Sequence, residues 1–182
     1  MEMDETMSNP AEPNPLFLRE LTAFQGKTTE QKIQELVDRE EIRDLLAAYA
    51  HRVAHGFSTV DLYVDEGKYV SRMQWGVVDN ELGIAHMKEP KSAGEGPEPG
   101  YGLRTPMIHN LLIFIDSDEA KATSSLEVRR IMENGESVIG SGYFNDRLRR
   151  AEGRWKFVER HITFFLFQPL KDAVENGWAR AS

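Results

Sequence analysis

The hydrophobic period of this chain changes once, near residue 60, and that change limits the folds open to it. Upstream, Ile42, Leu45, Leu46, Tyr49 and Val53 recur at helical spacing and form one apolar stripe, which Gly56 ends. Thr28-Thr29-Glu30-Gln31 reads as a capping box, and Asp38-Arg39-Glu40-Glu41 as a second one. Two consecutive helices are therefore predicted, over 29–37 and 39–55. Downstream the pattern alternates. Residues 68–75, 107–116, 120–133, 137–150 and 154–168 read as strands, with Asn134-Gly135 and Glu152-Gly153 as hairpin turns. Helices first and a meander after them predict an α+β fold: a curved antiparallel sheet closed by the N-terminal helices into a cone with one open mouth.

The acidic, proline-rich start is expected to be a loose arm over residues 1–27, neither a signal nor a transit peptide. The cone domain is expected over 28–170, followed by a tail over 171–182. Within it, the Gly- and Pro-rich stretch 87–104 reads as a lid or insertion loop. The net charge of −8 argues against sequence-independent nucleic-acid binding, which needs a basic footprint. Arg147, Arg149 and Arg150 sit beside Asp146 and Glu152 and read as a solvated hairpin end. No apolar run reaches the roughly 20 residues that cross a bilayer, so no membrane partner is expected. The chain has no cysteine, which excludes thiolate catalysis and disulfides and makes the cytoplasm the default compartment.

Two separated stretches, "ELVDREEIRDLLAAYAHRVAHG" and "SGYFNDRLRRAEGRWKFVERHI", carry a resemblance, with "HNLLIFIDSDEAKATSSLEV" between them. The first resembles the opening helix of the SnoaL-like polyketide cyclase and dehydratase family. The second resembles its last hairpin, with Gly142, Tyr143, Asp146 and Leu148, then Gly153-Arg154-Trp155 and Glu159-Arg160, in order. The resemblance implies a cone-shaped α+β barrel, a homo-oligomer (trimer or dimer), and a small-molecule substrate handled without a cofactor. It implies a lyase that cleaves a C–O or C–C bond, or a related isomerase, on a hydroxylated aromatic or polycyclic compound. The scaffold also serves as the non-catalytic small subunit of ring-hydroxylating dioxygenases, so a binding or structural role is the alternative.

Dehydratase-like members place a Tyr on the first helix, an Asp five residues later and a His at the start of the central strand. Tyr49 matches the first, but the other two positions fall on Ala54 and Pro106, and an arginine of the last strand falls at about Phe164. Substitutes for the missing pair are sought among the remaining polar residues. His55, at the helix end, and His109, on a central strand, are the candidate bases beside Tyr49. Asn110, Arg72, Tyr143 and His86 are candidate substrate contacts, Arg72 as an anion stabiliser. His51 and His55 stand four apart with no third ligand in the sequence, so no metal site is expected.

Overall fold

The structure is a computed structural model and describes residues 24–55, 57–73, 80–83, 102–131 and 135–169. In chain order these form helix α1 (Thr29–Ala54), a 3-10 turn (Val60–Leu62) and six strands: β1 (Tyr63–Met73), β2 (Asn80–Gly83), β3 (Gly102–Asp116), β4 (Glu119–Ile131), β5 (Ser137–Ala151) and β6 (Arg154–Pro169). Helix α1 opens at the expected capping box. The Thr28 hydroxyl accepts from the Gln31 N–H, and the Gln31 side chain accepts from the Thr28 N–H.

The second box does not form, and one 26-residue helix replaces the two expected. Asp38 stays inside the helix and uses its carboxylate sideways. It accepts from Gln34 Nε2 at 3.0 Å and pairs with Arg150 of β5. A capping residue must leave helical geometry to reach the backbone two or three residues on, and Asp38 is held elsewhere. Arg150 also reaches Glu41 and Asp118, each at 3.3 Å, and lies 4.7 Å over the Trp155 ring. One arginine thus joins the helix, the β3–β4 turn and the start of β6.

The strands form one sheet in the order β2-β1-β6-β5-β4-β3. From β3 to β6 it is the expected antiparallel meander. β1, however, joins β6 in parallel, so the sheet is mixed and β6 lies inside it between β1 and β5. β2 and β3 are its edges, and the sheet is open rather than a closed barrel. The Glu152-Gly153 hairpin has φ of 53° and 74°, the double positive turn that follows the twist of the strands.

Helix α1 covers one face, resting on β3 and β6. Ile42, Leu45, Leu46 and Tyr49 meet Ile113, Leu126, Phe144, Leu148, Phe157 and Ile162 there. The register shifts at five places, once between β1 and β6, twice between β3 and β4 and twice between β5 and β6. Such bulges bend a sheet and re-aim the side chains beyond them. No helix among the described residues is long and apolar enough to cross a membrane.

Candidate active site

The bulge nearest the helix decides the chemistry of the inner face. Leu148 pairs with Phe157 and Arg147 with Glu159, which leaves Val158 as the extra residue on β6. Strict alternation from Trp155 and Phe157 would send Glu159 and His161 inward. After the bulge Arg160 and Ile162 point inward instead, opposite Asp146 and Phe144 of β5. Asp146 and Arg160 are therefore direct cross-strand neighbours beneath α1.

Both side chains are fully buried, and Arg160 Nε lies 3.6 Å from Asp146 Oδ1. Asp146 is not the end of a solvated hairpin. Its two oxygens and all three guanidinium nitrogens of Arg160 have no hydrogen-bond partner among the described residues. Removing two such ions from water costs several kcal/mol each unless hydrogen bonds replace the lost solvent. The arginine has other company: its Cζ lies 3.7 Å over the Phe144 ring, 3.9 Å over Tyr49 and 4.7 Å over Phe157. Desolvated cation–π contacts of this kind are worth about 2 kcal/mol. Tyr49 stands nearly perpendicular to Phe144 and Phe157, at 80° and 77°, so the rings enclose the guanidinium from more than one side.

More polar groups surround the pair. Burial pushes the pKa of the Tyr63 hydroxyl up, and Tyr49, Arg160, Asp146 and Tyr69 act on it through space. This hydroxyl and that of Ser124, both buried, have no hydrogen-bond partner among the described residues. Burial pushes the Asp146 carboxyl up to about 6, with the positive charges of Arg160 and His161 pulling the other way. A carboxyl near 6 changes charge close to neutral pH, where a proton carrier is most effective.

Of the residues expected from the sequence, Tyr49 alone joins this cluster. His55 caps the exposed end of α1, its Nδ1 2.8 Å from the His51 carbonyl oxygen, and His51 is exposed beside it. His109, Tyr143 and Arg72 lie on the opposite face of the sheet, in one row across the strands. His109 pairs with Ser125, Ser125 with Tyr143, Tyr143 with Thr163, and Thr163 with Arg72. Asn110 takes a left-handed turn (φ 52°) in the β3 bulge and donates to Ser125 Oγ at 3.4 Å, which keeps it on that same outer face. The bulge falls after His109, between it and Leu112, so it does not turn the histidine inward. His86 and the 87–101 part of the expected lid lie outside the described residues. Phe164, where the family's last-strand arginine would fall, packs against the apolar core. No cluster of three or more metal-ligating side chains occurs among the described residues.

The nearest signal for the pair was already in the last hairpin, where Asp146 and Arg160 are two of the residues that carry the resemblance. They read there as a signature because nothing in the sequence marks the bulge that turns them toward each other.

Solved structures of similar fold cover most of the chain. A hexachlorocyclohexane dehydrochlorinase, LinA-type3 from Novosphingobium barchaimii LL02, superposes with a TM-score of 0.62 at 17% identity, covering 76% of this chain and 94% of that one. A candidate scytalone dehydratase from Novosphingobium aromaticivorans gives 0.62 at 18%, covering 75% and 90%. The beta subunit of a candidate aromatic-ring-hydroxylating dioxygenase from the same species gives 0.59 at 16%, covering 75% and 94%. At such identities the likeness speaks for the fold. No curated protein matches the chain. The family model described as a SnoaL-like domain matches residues 34–161, the span from the first buried turns of α1 to the residue after Arg160. The chain belongs to the SnoaL-like domain family.

Proposed function

We propose that this protein is a lyase for a small cyclic molecule, with its own side chains supplying the acid–base chemistry. Asp146, ionised above about pH 6, takes a proton from the substrate. Arg160 holds the negative charge that develops as the proton leaves, in a site shielded from water where such a contact is strongest. Tyr49, against the same guanidinium, donates a hydrogen bond to the departing group. The observation that carries this reading is the fully buried Asp146–Arg160 pair, whose hydrogen-bonding atoms are left unpaired among the described residues. A pair kept only for packing is better served by apolar side chains of similar volume.

The similar structures support the choice of class, since two of them are described as a dehydrochlorinase and a candidate dehydratase. A hydroxylated or halogenated ring compound is the substrate class that follows, in a cytoplasmic homo-oligomer. The test is a panel of hydroxylated and halogenated cyclic compounds, followed by release of water or halide. Turnover found with the wild type is expected to fall by about 10²- to 10⁴-fold in Asp146→Asn and about 10- to 1,000-fold in Tyr49→Phe. Unchanged turnover in Asp146→Asn sinks the reading. Binding of ring compounds without turnover in any form favours a ligand-binding protein instead.

A further inference from the structure

The last turn of α1 and its cap carry two histidines, His51 and His55. Residues four apart on a helix are neighbours on one side, and both histidines lie exposed on the side opposite Tyr49 and the buried stripe. Their ring centroids stand 6.4 Å apart, with the planes 31° from parallel. The His55 ring is held in place. Its Nδ1 lies 2.8 Å from the His51 carbonyl oxygen, which also accepts the His55 backbone N–H at 3.1 Å. A carbonyl oxygen only accepts, so the ring proton belongs on Nδ1 and the lone pair on Nε2. Metal-binding histidines are prepared in this way, one nitrogen tied to a backbone oxygen so that the other is aimed and made more basic. The exposed His51 ring has no hydrogen-bond partner among the described residues, so it can turn to meet Nε2 of His55.

The surroundings suit a cation. The C-terminal end of a helix carries partial negative charge on its last carbonyls. Arg52, the fixed positive charge of this turn, is already paired with Asp61 and donates to the Ser58 carbonyl oxygen at 3.2 Å. The outer positions beside the pair, Ala47, Ala48 and Ala54, are small and leave the rings uncrowded. A closed structural zinc site needs four protein ligands, and no third ligating side chain joins these two among the described residues. An open chelate needs only two. Imidazole nitrogens about 2.0–2.1 Å from one ion bring the ring centroids to about 5 Å, so His51 has to swing in by roughly 1–2 Å. Two neighbouring corners held by imidazole and the rest by water suit the tetragonal geometry of Cu²⁺ and Ni²⁺. Mg²⁺ and Ca²⁺ take oxygen ligands and are refused.

We propose that His51 and His55 form a surface chelate for a divalent late transition ion, Cu²⁺ ahead of Ni²⁺ and Zn²⁺, held by one imidazole nitrogen from each. The ion fastens the cap of α1 to the turn before it. Tyr49 faces the other side of the helix, so this site is independent of the lyase reading.

Titration of the full chain with CuCl₂, followed by electron paramagnetic resonance, reads both the affinity and the number of nitrogen ligands. The tightest site of the wild type is expected to hold one Cu²⁺ on two imidazole nitrogens. His51→Ala and His55→Ala are each expected to weaken it at least tenfold. Both positions are exposed, and alanine is the best helix former, so these variants keep the fold. His109→Ala and His161→Ala are expected to leave the site unchanged. Ni²⁺ is expected to bind more weakly at the same place and Mg²⁺ not at all. A wild type without a two-nitrogen copper site overturns the proposal. So does a signal that survives in both alanine variants, which puts the ion on another histidine or the chain's amine. Loss in only one of the two means an adventitious ion on a single histidine, and the chelate falls.

Discussion

Replacing Arg160 alone by Met strands the Asp146 carboxyl in a dry core. Removing one partner of a buried pair typically costs about 3–5 kcal/mol, while replacing both by apolar groups is often neutral or stabilising. Urea denaturation is therefore expected to show a large loss in Arg160→Met and recovery of most of it in the Asp146→Leu/Arg160→Met double variant. If the double variant is as damaged as the single, the pair is a structural requirement rather than a burden kept for function. The same carboxyl links stability to pH. Its folded value of about 6 lies above the ordinary 3.8, so the folded chain holds the proton more tightly than the unfolded one. Stability from this group rises as the pH falls from above 6 towards about 4, by roughly 2–3 kcal/mol. Glu35 and Asp61 work in the opposite sense, since hydrogen bonds and positive charge from Lys27 and Arg39, and from Arg52, outweigh burial and hold them below the usual range. The difference between wild type and Asp146→Asn, measured across this range, isolates the term. A difference that stays level with pH would show that Asp146 keeps its ordinary acidity in the fold.

At the scale of elements, the bulges carry more of the fold than the apolar pattern does. A Cβ at Gly142 would overlap the carbonyl oxygen of Thr163 on β6, at the second bulge between these strands. Gly142→Ala is expected to destabilise by more than about 2 kcal/mol, because the atom in the way is backbone and has little freedom to move. Thermal unfolding checks this, and a wild-type melting temperature would mean that the two strands part there easily. The Glu152-Gly153 turn gives the opposite test. Glu152 holds a left-handed φ that Asn adopts more readily, so Glu152→Asn is expected to add about 0.5 kcal/mol despite losing an exposed ion pair with Lys156. Helix α1, its cap and five of the six strands were legible because local periodicity and turn chemistry encode them. The helix break at Asp38 misled because a cap motif states only a local preference, and Arg150 lies 112 residues away in sequence. The site was harder still. Parity decides which face a strand residue takes, and one extra residue at Val158 reverses it without any mark in the sequence. Tyr49 could be placed on the buried face of α1 because a helix has no such ambiguity.

For the whole molecule, the position of β6 sets the order of events. It is the last described strand in the chain, yet it lies between β1 and β5 and carries Phe157 and Arg160 into the core. While the chain is being made, β1 leaves the ribosome some ninety residues before the strand it must pair with, and α1 leaves before any of its floor exists. Until Arg154–Pro169 emerges, the apolar face of α1 has only the part of its floor that β3 to β5 supply, and β1 and one long edge of β5 lack the strand that joins them. A nascent chain of this design is expected to stay a client of holding chaperones through almost all of its synthesis and then to fold in one late step, as non-local pairing demands. A chain ended at Gly153 is expected to show no cooperative unfolding transition at all, and a sharp one in such a fragment would mean that the remaining strands find a core without β6. The centre of this protein is finished last.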